Sequence, residues 1–540
     1  MSLRTSVPTA AFVVVISAMT GGLVGGRVFA TPPDDHRLER YQSFTTALAT
    51  VENEYVDKVD SEQLVKGAID GMLRTLDPHS SYFTPKEYAQ MRERQEGSYY
   101  GLGITIVAID GDITITSLFE GSPAYRAGIR RGDVIAKVVG ASTKGWTTDQ
   151  AVLKLKGPKG TTVNISIRRT GMDDLIDLTV ARDEIHITTV RTAFMLAPGT
   201  GYVRLQDFSE TSDHELSDAL KKLSTAGMER LVLDLRDNPG GPLDQAIAVA
   251  NHFLKRGQPI VSTKGRTPES NEQYVALEPG DYPDVPLIVL VSRGTASASE
   301  IVSGAMQDHD RGLIVGEQTW GKALVQSVYR LVENAGLALT TGHYQTPSGR
   351  VIQRPWDAGF DEYLTYQLRD QTGKRDHPAS DLHYTDGGRK VYGGGGIEPD
   401  HFMAGPIEGF SPSPFARALV SRGMFVGMAE HFTAEGDTRP ANRGAGARHK
   451  VAKGFEITPA DLDEFKQYVT SQHMRIDEAA FAADLAFIKA EMHYEIDVDL
   501  FGVEEGRRNL SRVDPQLQYA LGFFDEAKQL LQLGKKTPGR

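Results

Sequence analysis

The chain contains no cysteine. That absence removes thiol nucleophiles, thiolate metal ligands and structural disulfides together, and leaves the redox compartment unread. Long runs of lysine and arginine are also missing. With 71 acidic against 59 basic side chains, a formal net charge of −12, the chain offers no concentrated basic face for phosphate neutralisation, so nucleic acid is not an expected partner. No repeat of fixed period is present, and Gly157-Pro158-Lys159-Gly160 lacks the spacing of a phosphate-binding loop. What remains is ordinary globular material, 40% apolar and 24% charged, able to fold without metals or cross-links. At 540 residues it exceeds one hydrophobic core and is expected to divide into roughly three or four units.

The first thirty residues differ from the rest. Arg4 precedes an uncharged stretch from Val7 to Gly26, and Val28-Phe29-Ala30 offers the small residues that a signal peptidase reads. Residues 1–30 are therefore expected to be an export signal. The stretch is also long enough to cross a bilayer, so an uncleaved anchor is the alternative. Both place the rest of the chain in the cell envelope, periplasmic or extracytoplasmic, touching the membrane only through this segment.

Residues 31–95 read as a helical region. Leu38, Tyr41, Leu48, Val51 and Tyr55 recur at helical spacing, Leu64, Ile69, Leu73 and Leu76 continue it, and Thr84-Pro85-Lys86-Glu87 is a capping box with proline at the first helical position. Residues 96–183 read as a small β-rich domain. There Asp110-Gly111 joins the alternating runs Ile104–Ile109 and Ile113–Ile115, and Thr170-Gly171 lies between Val163–Arg168 and Leu175–Val180. From 184 to 405 short apolar runs, Leu231–Leu235, Leu287–Val291 and Gly312–Val315, alternate with helical segments. Runs apolar on both faces predict an α/β core with a mainly parallel sheet covered on both sides. Residues 406–540 read as a helical extension, with a Gly/Arg-rich break between Glu435 and Arg448 and helix starts at Thr458-Pro459 and Asp514-Pro515. Leu462, Phe465 and Val469 mark one face of the first of these helices, and Leu517, Leu521 and Phe524 one face of the second. Packing is the role this extension is expected to have.

Chemistry is concentrated in two places. Gly294-Thr295-Ala296-Ser297-Ala298-Ser299-Glu300-Ile301 follows a buried strand and opens a helix, where the carboxyl edge of a parallel sheet and free helical N–H groups favour an oxyanion. Taken alone, such a Ser/Thr cluster is most simply a helix cap. Thr319-Trp320-Gly321-Lys322-Ala323-Leu324-Val325-Gln326 changes that weighing. Lys322 follows a strand of the same expected sheet, and Gln326, four residues on, lies on the same side and can orient it. A free lysine has a pKa of about 10.4 and must lose its proton to act as a base, which burial among Trp320, Leu324 and Val325 would favour. Considered by itself, Lys322 would be an ordinary surface lysine.

Together the two motifs resemble the carboxy-terminal processing, or tail-specific, proteases. Further segments are similar in the same order: Leu76-Asp77-Pro78-His79-Ser80-Ser81-Tyr82, Asp234-Leu235-Arg236-Asp237-Asn238-Pro239-Gly240-Gly241, Tyr344-Gln345-Thr346-Pro347-Ser348-Gly349-Arg350, and Gly396-Ile397-Glu398-Pro399-Asp400. The resemblance covers about residues 40–400. Trp320 stands where the family usually has Phe, Ala323 where it usually has Gly, and the tail after 405 exceeds what the family core requires.

The resemblance implies a serine endopeptidase with Ser297 as nucleophile, Lys322 as general base and Gln326 assisting, working through an acyl-enzyme. It implies an oxyanion hole from Ala298 and either Gly240 or Gly241, and no cofactor or metal. It makes residues 96–183 a PDZ domain whose Gly101, Leu102, Gly103 and Ile104 hold a peptide carboxylate. The implied partners are protein substrates with exposed C-terminal tails, with room for an adaptor protein and a homo-oligomer. Two other classes compete: a PDZ scaffold in the envelope that no longer cuts, and a Ser–His–Asp hydrolase using one of the 14 histidines. A scaffold has no physical need for Ser297, Lys322 and Gln326 together, and Ser297 lacks the Gly-x-Ser-x-Gly setting.

Overall fold

The computed structural model describes residues 36–169, 172–356, 359–366, 377–404, 413–432 and 452–536. The stretch Val7–Gly26, the Thr170-Gly171 turn and the break between Glu435 and Arg448 lie outside the described residues. Among the described residues, no helix is long and apolar enough to cross a membrane. The chain divides into two units between Asp77 and Pro78.

The N-terminal unit holds two helices, His36–Glu54 and Ser61–Arg74. The second opens on Asp60, whose carboxylate accepts the N–H groups of Glu62 and Gln63 at 2.9 and 3.4 Å. Lys66 and Asp70 pair one turn apart at 3.0 Å. Tyr55 and Leu76, which spacing assigns to these helices, fall just beyond their ends.

In the second unit Ser81–Phe83 forms a strand, which corrects the expectation that 31–95 is helical throughout. It pairs antiparallel with Gly336–Ala338. Three residues are too few to show a period, so only the distant partner reveals the strand. The helix Pro85–Glu96 then begins with the expected capping box. Thr84 N–H donates to Glu87 Oε2 at 2.8 Å, and Glu87 N–H to Thr84 Oγ1 at 3.4 Å.

Strands Ser98–Gly101 and Asp183–His186 pair antiparallel as a two-stranded ribbon, so the chain enters and leaves the β-rich module side by side. Between them Ile104–Ile109, Asp112–Leu118, Val134–Val138, Thr162–Arg168 and Ile176–Ala181 follow one another across a sheet, and Ala141–Ser142 adds to Val134–Val138. The first hairpin turns at Asp110 and Gly111, with φ of 50° and 79°, as a two-residue connection of this twist requires. Ile113, Ile115, Ile135, Ile165 and Ile167 alternate into its core, closed by Ala151 and Leu155 of the helix Thr148–Leu155.

The core contains a six-stranded sheet in the order Thr192–Ala197, Thr200–Arg204, Arg230–Asp234, Leu287–Val291, Leu313–Gly316, His401–Phe402. The first pairing is antiparallel and the other four are parallel. Leu231, Leu233, Val289, Val291 and Ile314 share one face with residues of the helices Ser212–Thr225, Leu243–Asn251 and Ala298–Asp308. On the other face, Val232, Ile288, Leu290, Leu313 and Val315 meet Leu517, Ala520, Phe524, Ala527 and Leu530 from the C-terminal extension. A second sheet, wholly antiparallel, joins Ser81–Phe83, Gly336–Gln345, Pro259–Gly265 and Gln273–Val275, with Leu324–Arg330 also on Gly336–Gln345. The sequence expectation of a mainly parallel core leaves this sheet out. Its strands are half-buried and mixed in polarity, which weakens the apolar signal that marks parallel strands.

Within the extension, helices Pro414–Ser421, Met424–Phe432, Pro459–Ser471, Glu478–Ala483 and Leu485–Phe501 share a core that includes Leu419, Phe425, Met428, Phe465, Val469 and Ile488. The helix opening at Asp514-Pro515 stops at Leu521, and Phe524 begins the next one, so the face expected of a single helix is divided between two.

Glu491, on the helix Leu485–Phe501, is mostly buried, and this burial with the nearby Glu495 carboxylate pushes its pKa up to about 7 against the pull of Arg507. An acid whose folded pKa lies above its unfolded value of about 4.3 penalises the fold only once it ionises, so the cost is absent near pH 4 and complete above about pH 7. Glu491→Gln keeps the shape without the charge. It is expected to stabilise the protein by on the order of 3 kcal/mol at pH 8 and to change little at pH 4, read from urea midpoints. Equal effects at both pH values would show that the carboxylate carries no such penalty.

Candidate active site

Ser297 stands at the turn between the strand Leu287–Val291 and the helix Ala298–Asp308, with φ of 55° and ψ of −115°. A non-glycine residue in that region costs on the order of 1–3 kcal/mol and persists only where its surroundings over-determine it. The surroundings here do. Thr295 Oγ1 donates to Leu235 O at 2.8 Å and accepts Ser292 N–H at 2.9 Å, and Ser299 Oγ donates to Asn238 O at 3.2 Å. Thr295 and Ser299 are fully buried, whereas Ser297 keeps partial exposure at the turn. The cluster is thus two structural hydroxyls flanking one of a different kind.

Lys322 lies in the segment that leaves Leu313–Gly316 of the parallel sheet and enters Leu324–Arg330 of the antiparallel one. The common side of Lys322 and Gln326 is therefore not produced by regular alternation within one sheet, as their spacing suggests. The pairing register shifts between Val325 and Gln326, and such a bulge re-aims a side chain. Lys322 is half-buried, and its Nζ donates to Gln326 Oε1 at 3.2 Å. Gln326 Nε2 in turn donates to the main-chain carbonyl of His79 at 2.7 Å. The His79 ring makes a hydrogen bond of 2.8 Å with the Tyr363 hydroxyl through Nε2.

Two side chains hold Ser297 and Lys322 together by their backbones. Glu300 Oε2 accepts the N–H of Ser297 at 2.8 Å and that of Lys322 at 2.9 Å. Its Oε1 accepts Gly321 N–H at 2.7 Å and Thr319 Oγ1–H at 2.5 Å. From the antiparallel sheet, the Tyr344 hydroxyl lies 3.1 Å from Ser297 O and 2.8 Å from Lys322 O, its one proton shared between the two carbonyls. Glu300 is fully buried, which pushes its carboxyl pKa up while the four donors pull the other way.

The segment Asp234–Gly241 runs against the same turn. Asn238, fully buried, donates Nδ2–H to Leu205 O, accepts Ala296 N–H on its main-chain carbonyl and accepts Gly240 N–H on Oδ1, each at 2.9 Å. Gly240 has φ of 93°, and a Cβ on it would stand 2.7 Å from Ala296 O and from Ala298 N. A side chain is impossible there without moving the Ser297 turn. Among the described residues, the N–H groups of Ala298 and Gly241 meet no acceptor. Of the two glycines, Gly240 is already engaged through its N–H and Gly241 is not.

Elsewhere, Gly101 ends the ribbon strand Ser98–Gly101, and Ile104 opens the strand Ile104–Ile109. Leu102 O accepts Ala124 N–H at 2.9 Å and Gly103 O accepts Phe119 N–H at 3.0 Å, while the N–H groups of Leu102 and Gly103 have no acceptor among the described residues. Gly103 has φ of 78°, and a Cβ there would come within 2.3 Å of Ser122 Cβ. Among the described residues, the strand Ile104–Ile109 pairs on one side only, with Asp112–Leu118, and is an edge of its sheet.

Glu300, Tyr344, Asn238 and His79 sit within the motifs of the sequence but are not singled out there. Glu300 carries a visible signal, as the acid three residues after Ser297 in a capping-box pattern, yet that pattern predicts only a local cap. His79 contributes a main-chain carbonyl, to which side-chain patterns are blind.

The chain matches the family model of Peptidase family S41 over residues 199–359, that of the PDZ domain over residues 90–168, and that of the activating protease CtpB N-terminal domain over residues 30–86. A carboxy-terminal-processing protease of Bartonella bacilliformis is 40% identical over 336 residues, covering 61% of this chain and 76% of the relative. The carboxy-terminal processing protease CtpA of Bacillus subtilis is 34% identical over 347 residues, covering 63% and 73%. Among solved structures, a photosystem II D1 C-terminal processing protease is 31% identical, covers 57% of this chain and 88% of that one, and has a TM-score of 0.32. The sequence relatives are proteases. The chain belongs to the carboxy-terminal processing proteases, serine proteases of peptidase family S41 that carry a PDZ domain.

Replacing Glu300 by Gln keeps the volume but turns one acceptor oxygen into an NH2 group facing two of the four donors. Glu300→Gln is expected to lose about 1–3 kcal/mol of stability. Peptidase activity is expected to fall by about 10²-fold or more, since misplacement by about 1 Å has that effect. Urea unfolding and kcat/KM on a peptide check both. Full activity in the folded variant would show that the carboxylate does not hold the pair in place.

Proposed function

We propose that this chain is a serine endopeptidase that cleaves protein substrates near their C-termini through an acyl-enzyme, with Ser297 as nucleophile and Lys322 as general base. The observation that carries the proposal is the double backbone clamp. Glu300 and Tyr344 fix Ser297 and Lys322 side by side, and Gln326, itself held by His79 O, engages the lysine Nζ.

Neutral Lys322 Nζ takes the proton of Ser297 Oγ as the oxygen adds to the scissile carbonyl. The resulting oxyanion is held by the N–H groups of Ala298 and Gly241, with Gly240 serving through its lack of a side chain. Collapse breaks the C–N bond, the lysine ammonium returns the proton to the leaving amine, and the acyl group stays on Ser297. Water, deprotonated by Lys322, then releases the acid and regenerates the hydroxyl. Neither His309 nor His79 supports a histidine base: His309 places Nδ1 2.8 Å from Asp386 and Nε2 2.6 Å from Pro259 O, and His79 makes a ring hydrogen bond with Tyr363.

The loop Gly101–Ile104 is proposed to bind the substrate's terminal carboxylate on backbone N–H groups, with the tail adding as a strand to the edge Ile104–Ile109. Residues 1–30 are proposed to deliver the chain to the cell envelope. If they remain as an anchor, the full-length protein stays with membranes through a carbonate wash; a mature N-terminus at Thr31 decides for a cleaved signal instead.

Ser297→Ala is expected to abolish cleavage of an unstructured peptide with the circular dichroism spectrum retained. Lys322→Arg keeps the charge, but a guanidinium does not give up a proton in a protein, so activity is expected to vanish there as well. In the unmodified enzyme kcat/KM is expected to rise with pH as the lysine becomes neutral. A folded Lys322→Arg variant that cleaves at a comparable rate would remove Lys322 as the base.

A further inference from the structure

The segment that carries Gly240 and Gly241 begins with two buried charges. Asp234 Oδ2 accepts the Tyr202 hydroxyl and Arg236 Nη2, each at 2.7 Å, its Oδ1 accepts Arg236 Nε at 3.0 Å, and Arg204 Nη1 lies 3.6 Å from Oδ2. Burial would raise the Asp234 carboxyl, but Arg236 and Arg204 outweigh it and hold the group well below the usual carboxylate range. The remaining side of the Arg236 fork meets the C-terminal extension. Asp514 Oδ1 lies 3.1 Å from Nη1 and Oδ2 lies 2.6 Å from Nη2, and Gln516 Oε1 accepts from Nη1 at 3.1 Å. Among the described residues Nη1 has no other acceptor.

Asp514 is itself fixed, because Oδ1 caps the helix Pro515–Leu521 by accepting Leu517 N–H at 3.1 Å, and Gln516 Nε2 donates to Met403 O at 3.2 Å. The helix rests on the outer face of the sheet through Leu517 and Ala520. Arg236 is followed by Asp237, whose N–H and Oδ1 both bond Ser292 Oγ at 2.9 Å, and then by Asn238, which holds Gly240 N–H.

We infer that Asp514, with Gln516, is a positioning residue for the peptidase reaction: it holds Arg236, and through it sets the segment Leu235–Gly241 so that Gly241 N–H faces the carbonyl attacked by Ser297. The inference rests on the nucleophile and oxyanion assignments above. Without Asp514 the buried cluster keeps two guanidinium groups against one carboxylate, and Nη1 loses a charged acceptor. Arg236 must then turn toward solvent or closer to Asp234, and either movement pulls on a segment whose next four residues reach Gly240. A residue with no place near the reacting atoms thereby controls the rate of the chemical step.

The test compares Asp514→Asn, Gln516→Leu and, as a packing control, Leu530→Ala, which loosens the same layer without touching Arg236. Steady-state kinetics on an unstructured peptide are measured at a temperature where circular dichroism shows each variant folded, with Ser297→Ala in parallel. Asp514→Asn is expected to lower kcat at least about tenfold with KM within about twofold, the pattern of a lost transition-state interaction. Leu530→Ala is expected to lower Tm and leave kcat within about twofold. Wild-type kcat in folded Asp514→Asn, or a fall in kcat that Leu530→Ala matches, overturns the inference. If Asp514→Asn does not fold, Gln516→Leu, which keeps the carboxylate, is judged by the same criteria. Residual cleavage by Ser297→Ala would refute the nucleophile, whereas a dead Ser297→Ala beside an unaffected Asp514→Asn overturns only the role of Asp514.

Discussion

A carboxylate with no exposure to water needs hydrogen-bond donors, and Glu300 obtains its donors from two separate stretches of chain. Ser297 belongs to its own turn, whereas Thr319, Gly321 and Lys322 arrive with the segment leaving the next strand of the sheet. Left unpaired, such a group would cost several kcal/mol, so the two segments are strongly favoured together and disfavoured apart. Completing the core and assembling the pair Ser297 and Lys322 are thus the same step. Tyr344 repeats the logic with opposite polarity. A buried hydroxyl, it spans the carbonyls of the residues whose N–H groups Glu300 takes, and it comes from the antiparallel sheet.

The site therefore lies where the two sheets exchange the chain. Ser297 leaves the parallel sheet, Lys322 stands in the crossing, and Gln326 sits one register shift into the antiparallel sheet. His79, just before the short strand Ser81–Phe83, closes the arrangement by accepting from Gln326. The motif Gly396–Asp400 supports the crossing from behind: Ile397 N–H donates to Thr319 Oγ1 at 2.6 Å, and Asp400 Oδ2 accepts Ile314 N–H at 2.8 Å. Segments that look unrelated along the chain are thus parts of one cage around the crossing.

How much of this could be read from residues depended on the kind of signal. Runs apolar on both faces announced the central strands, Asp110-Gly111 announced its hairpin, and the Thr84 and Thr458 patterns announced their helix starts, because each of those signals is local. The strand Ser81–Phe83 and the crossing between sheets were not legible, since both depend on a distant partner and carry no period. Within the site, setting and spacing point to the Thr295–Ser299 region, Lys322 and Gln326, the resemblance is what assigns them roles, and residue type alone does not separate Ser297 from Ser299. The separation is conformational: one serine occupies a strained turn and the other is buried, bonded to Asn238. Gly240 and Gly241 are equivalent by residue type, and what distinguishes them is that Asn238 Oδ1 accepts the N–H of Gly240.

The outer face of the parallel sheet follows the same rule of complete pairing, applied to area rather than to single atoms. Val232, Ile288, Leu290, Leu313 and Val315 alternate with the residues that face the inner helices, so a chain with such runs requires two covering layers. The helices that follow the strands supply one layer. The other must come from elsewhere in the sequence, and Leu517, Ala520, Phe524, Ala527 and Leu530 provide it from the far end of the chain. This makes the last two helices part of the core they cover. Asp514, which caps the first of them, reaches Arg236 because the layer it introduces is required at that face, and the loop beside Ser297 begins at its edge.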